Sequence, residues 1–109
     1  MGEYQNDEKS RKTPYEQLDS VSKALPSLMR SQKLISKAKK NSLIENKEIS
    51  SVIGDVEAAL NAVKKSKDKD DLGNLLFKIA SLCSAFDVDG EEILYIENDK
   101  FVKQFENLR

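Results

Sequence analysis

Ile49, Val52, Ile53, Val56, Leu60 and Val63 step along the chain by threes and fours. Strand side chains alternate with a period of two, so a strand would scatter this set over both faces. A helix gathers it on one. The stretch Ser51 to Val63 is therefore the most regular amphipathic helix in the chain. Gly54 within it costs about 1 kcal/mol relative to Ala and leaves room for another helix to approach. The charged stretch Lys64 to Lys69 reads as a turn. A second helix follows over 70–84, capped by Asp68 or Asp70, with Leu72, Leu75, Leu76, Ile79, Leu82, Cys83 and Phe86 as a broad apolar face. A stripe this wide packs on more than one neighbour.

The flanks carry the same signal. Upstream, Ser22 is placed to cap a helix with Pro26 in its first turn. Leu25, Leu28, Met29, Ile35 and Ala38 share a face, and the helix ends near Asn41. Lys37, Lys39 and Lys40 suit the negative end of its dipole and are also placed to line a nucleotide entrance. Downstream, Asp89-Gly90-Glu91-Glu92 has the form of a capping box, with Glu92 reaching back. It opens a helix expected to bury Ile93, Leu94, Phe101, Phe105 and Leu108. Four helices with short connections predict an all-α, antiparallel four-helix bundle over residues 21–109. Residues 1–20 are charged, carry no apolar stripe, and read as a flexible arm or interdomain linker. Four short helices bury little area, so dimerisation is expected to complete the core.

Composition removes several function classes. The chain has 109 residues and a net charge of −1, so it is one domain or part of one, with no global field for nucleic acid or an anionic membrane. It has no His and one Cys, which excludes a zinc site and a Cys–His nucleophile pair. Any metal would be a hard cation held by oxygen, such as Mg²⁺. No apolar run approaches membrane-spanning length, and the segment MGEYQNDEKSRK lacks the apolar region of a secretory leader. Lone Cys83 suits a reducing, cytoplasmic setting and reads as a small buried hydrophobe.

Three segments together resemble the C-terminal domain of the MazG nucleoside triphosphate pyrophosphohydrolases. They are LDSVSKALPSLMRSQKLISKA at 18–38, DLGNLLFKIASLCSAF at 71–86 and DVDGEEILYIENDKFVKQFE at 87–106. They occur in the family's order and spacing, and Tyr4 to Lys12 looks like its charged interdomain connector. The resemblance implies an all-α fold and hydrolysis of a nucleoside triphosphate to the monophosphate and pyrophosphate. In the family, an E-E-x-x-E motif on one helix faces E-x-x-D on the next, because Mg²⁺ needs several converging oxygens. The ions then polarise the phosphates and activate water.

Carried over position by position, the motif is depleted. Ala58, Ala59 and Ala62 stand at the E-E-x-x-E positions, and Asp71 and Asn74 at the E-x-x-D positions. Glu57 and Asp55 lie nearby on the first helix. Asn98 and Lys100 match the family's phosphate-contacting N-x-K-F segment. Gln104 replaces an Arg there and cannot pair bidentately with phosphate. The base-holding aromatic segment after the first helix is replaced by Asn41-Ser42-Leu43-Ile44.

The resemblance thus implies a MazG-like domain that has lost catalysis, binds Mg²⁺ at most weakly, and serves as a structural or dimerising half. An upstream MazG-like domain of the same protein is a natural partner for it. Two alternatives remain open. A rearranged, weakly active Mg²⁺-dependent site would use Asp55, Glu57, Asp71 and Asn74, with Asn98 and Lys100 on the triphosphate. A plain helical interaction module would instead bind a partner helix in an apolar groove. Other roles fit these residues too: alanine at 58, 59 and 62 suits a close helix contact, and Asp71 suits a helix N-terminus.

Overall fold

In the computed structural model, which describes residues 12–108, the chain is all-α. It runs through α1 (Pro14–Asp19), α2 (Ser27–Lys40), α3 (Ile49–Ser66), α4 (Lys69–Ala85) and α5 (Gly90–Lys103), then a 3₁₀ turn at Glu106–Leu108. No helix among the described residues is long and apolar enough to cross a membrane.

Helix α1 lies within the stretch read as a flexible arm or interdomain linker, where no helix was expected. Thr13 Oγ1 accepts from the Glu16 N–H at 3.0 Å, and the Glu16 carboxylate accepts from the Thr13 N–H at 2.9 Å. With Pro14 at the first helical position, this reciprocal cap sets a short helix that needs no apolar stripe. Its end is tied to α2 by Asn41 Nδ2, which donates to Gln17 Oε1 at 3.2 Å. Residues 1–11, including most of the expected connector, lie outside the described residues.

Helix α2 starts later than Ser22. Proline disfavours the helical region for the residue before it, so the helix begins at Ser27 with Pro26 as its cap residue. Ser22 instead closes a local turn, its Oγ accepting from the Ala24 N–H.

Helices α3 and α4 form an antiparallel hairpin with a tighter turn than expected. Lys64, Lys65 and Ser66 continue α3, since lysine is a good helix former and suits the last turn. The connection is only Lys67, in the left-handed conformation at φ 51°, and Asp68, which caps α4 by accepting from the Asp70 N–H. Helix α2 packs antiparallel on the C-terminal half of α4, and α5 leaves from the end of α4.

The core is small. Its buried hydrophobic residues are Val21, Ile35, Val52, Ala59 and Ala80. Leu28, Leu75, Leu82 and Cys83 are half-buried. The face expected to bury α5 is a second correction: Ile93, Leu94, Phe101, Phe105 and Leu108 are all exposed. So are Leu72, Leu76 and Ile79 on α4, Phe86 just after it, and Ile49, Ile53 and Leu60 on α3. Their helical spacing is as expected, but no element among the described residues covers them.

Candidate functional site

The hairpin α3–α4 carries the positions where the resemblance would place a metal cage. Ala59 is buried against α4, Ala62 is half-buried and Ala58 is exposed. Alanine at 59 lets the two helices close, and none of the three side chains offers an oxygen. Asp55 is engaged by Lys47, whose Nζ lies 3.0 Å from Oδ2. Asp71 accepts from Ser66 Oγ at 2.6 Å across the hairpin turn. Glu57 and Asn74 are exposed.

Among the described residues, no three His, Cys, Asp or Glu side chains converge where they could hold a metal ion. Asp55, Glu57 and Asp71 therefore do not assemble into the rearranged set. Mg²⁺ needs near-octahedral oxygen ligation, which the residues at these positions do not fit. Asn98 and Lys100 lie on exposed α5, and Lys100 Nζ is 3.6 Å from Glu97 Oε2.

Two depressions flank α2. The larger, of about 760 Å³, is lined by Lys33, Lys39 and Lys40 on α2 and by Asp87 and Asp89 after α4, with Met29, Gln32 and Ile35 beneath. Lys39 and Lys40 thus edge a groove, as their spacing allowed; Lys37 does not line it. The smaller, of about 330 Å³, lies between Lys39, Lys47 and Lys78, with Asp55, Val52 and Phe77 on its walls. Both mix acids and lysines in their linings.

The most constrained polar cluster was not anticipated from sequence. Gln32 Nε2 donates to the Val88 carbonyl at 2.9 Å and to Ser84 Oγ at 3.2 Å, while its Oε1 accepts from the Gly90 N–H at 2.7 Å. Beside it, Glu91 Oε1 accepts from the Met29 N–H at 3.3 Å. Pro26 has no side-chain acceptor, so α2 borrows its cap from α5. Asp89 caps α5 by accepting from the Glu91 and Glu92 N–H groups. The only signal in the sequence was the acidic run 89–92, whose two outer members were read as a local box.

No family model, curated protein or solved structure matches the chain. The site is therefore judged on its own geometry. That geometry fixes where α5 departs from the bundle.

Cys83 lies against the same cluster. Burial pushes its thiol above the ordinary range, and the negative charge of Asp89 adds to this, against a smaller opposing backbone hydrogen bond. Such a thiol is a poor nucleophile at neutral pH.

Proposed function

We propose that the chain is a helical assembly module: a MazG-like all-α domain that has kept its scaffold, lost its catalytic carboxylates, and works by association. The observation that carries this reading is the open apolar surface. Leu76 is 62% exposed, Phe101 61% and Val102 68%. Isolated exposed apolar residues are ordinary, but here large apolar side chains are exposed on three helices at once, which supports an interaction surface. The alanines at 58, 59 and 62 support the other half of the reading, as do the Lys47 and Ser66 partners of the remaining acids.

The test combines sedimentation velocity at tens of micromolar with pyrophosphate release from a panel of nucleoside triphosphates in Mg²⁺. A species of at least twice the chain mass and no release is the expected result. A strict monomer would overturn the assembly reading. Release abolished by both Asp71→Ala and Glu57→Ala would overturn the loss of catalysis.

A further inference from the structure

We propose that the Asp89–Gly90 peptide is a self-modification site: it closes to a succinimide and reopens as isoaspartate once α5 lifts from α2, and Gln32 holds it unreacted while α5 is docked.

Asp89–Gly90 is the only Asp-Gly pair in the sequence, and no Asn-Gly pair occurs. Glycine leaves the attacking nitrogen unshielded by any side chain, which makes Asp-Gly the readiest aspartyl pair to cyclise. In the reaction the Gly90 nitrogen bonds to Asp89 Cγ. The amide proton and the hydroxyl of the protonated carboxyl leave together as one water. A water then opens the ring. Opening at Cγ restores aspartate, whereas opening at the former main-chain carbonyl gives isoaspartate, with the chain running through Cβ.

The docked corner opposes each of these requirements. The first N–H groups of a helix have no partner within it. Asp89 Oδ1 accepts from those of Glu91 and Glu92, which holds the carboxyl at the helix end. The Gly90 N–H donates to Gln32 Oε1 at 2.7 Å, so the nitrogen that must attack is tied to α2. Asp89 also stands at ψ 106°, which turns that nitrogen away from Cβ. Ring closure needs rotation about the Asp89 Cα–C bond. Helix α5 resists it, because Gly90 is held by Gln32 and the Glu91 carboxylate by the Met29 N–H.

The product does not fit the same corner. A Cβ on Gly90 would already lie 3.0 Å from Cys83 Sγ and from Gln32 Oε1. Isoaspartate adds a methylene to the main chain beside it, and its free carboxylate is one carbon shorter than the one that capped α5. Modification therefore makes the release of α5 one-way.

The experiment incubates the full chain in mildly acidic ¹⁸O-water and follows peptide 89 by mass spectrometry, with electron-transfer fragmentation to tell isoaspartate from aspartate. Every ring opening leaves one heavy oxygen at residue 89 in either product. We expect label to enter fastest in the urea-unfolded chain and slowest in the folded parent. Gln32→Ala should label about tenfold faster than the folded parent. Gln32→Glu keeps the acceptor for Gly90 and should label at the parent's rate, although it also loses the bond to Val88. Equal rates in folded and unfolded parent, or in Gln32→Ala and parent, overturn the proposal. Equal acceleration in Gln32→Ala and Gln32→Glu also overturns it, since lost stability then explains both. Hydrogen exchange on the unsubstituted chain decides the matter where a variant unfolds: the Gly90 amide should be protected, and an unprotected one overturns the guard. The isomerised chain, separated by ion exchange, should unfold at lower urea than the parent; an equal midpoint overturns the release of α5.

Discussion

Gln32 and Gly90 hold the chain at its sharpest change of direction: the Gly90 N–H donates to Gln32 Oε1 at 2.7 Å, while the amide's other end is bound by Ser84 and Val88. One side chain on α2 thus fixes the end of α4, the connection and the first residue of α5. A half-satisfied amide here is worse than none, since it strands partners that are partly shielded from water.

Gln32→Ala is therefore expected to destabilise the fold by about 1–3 kcal/mol. Gln32→Glu keeps the acceptor for Gly90 but loses the donor to Val88, and should fall between parent and alanine variant. Urea unfolding followed by circular dichroism measures both, provided the slope with denaturant is unchanged.

Gly90→Ala tests the tightness of the same corner. A Cβ there would lie 3.0 Å from Cys83 Sγ, 3.0 Å from Gln32 Oε1 and 3.2 Å from Leu28 Cδ2. Replacing glycine by alanine inside a helix ordinarily stabilises; here overpacking should reverse the sign, with a loss of about 1–3 kcal/mol. Cys83→Ala removes one of the three obstructing atoms. A double-mutant cycle between the two sites should show a smaller combined loss than the sum of the single ones.

The alanines of α3 should not respond alike to restored acids. Ala59 is 5% exposed and faces α4, so Ala59→Glu buries an unpaired charge and should cost about 3 kcal/mol. Ala58 is exposed, and Ala58→Glu should stay within about 0.5 kcal/mol of the parent. Equal effects in thermal or urea melts would sink the assignment of Ala59 to the hairpin contact.

Stability should also carry a signature of Cys83 at alkaline pH. Burial, and then Asp89, raise the thiol pKa in the folded chain. The folded state therefore holds this proton more tightly than the unfolded one. The stability linked to it is complete below the ordinary thiol pKa and is lost as pH rises through the folded value. Subtracting the pH profile of Cys83→Ala from that of the parent isolates the contribution, which should decline only on the alkaline side. Alkylation by iodoacetamide at neutral pH should be slower than for a free thiol.

Much of the fold was legible because it depends on local periodicity and capping. The stripe from Ile49 to Val63 defined α3, Asp68 and Asp89 marked the starts of α4 and α5, and Asn41 the end of α2. Helix α1 has no apolar stripe, so its one signal in the chain is the Thr13–Glu16 box with Pro14 between them. Pro26 moved the start of α2 through a restriction on the residue before it. The candidate site was legible only as a depletion: the alanines are plain in the chain, whereas the Lys47 partner of Asp55 and the Ser66 partner of Asp71 are not.

The sequence by itself determined that the chain is helical, where its main helices lie, and which side of each is apolar, because those properties follow from side-chain spacing along one segment. It also determined that Ala58, Ala59 and Ala62 supply no metal ligands. Only the tertiary structure decided which apolar sides are covered. Burial of Ile35, Val52 and Ala80 and exposure of Leu76, Phe101 and Phe105 depend on how helices meet, and periodicity is identical in both cases. The meeting is set by long-range bonds from Gln32 and Glu91 to residues more than fifty positions away. Those bonds send α5 off the end of the hairpin with its apolar face unpaired.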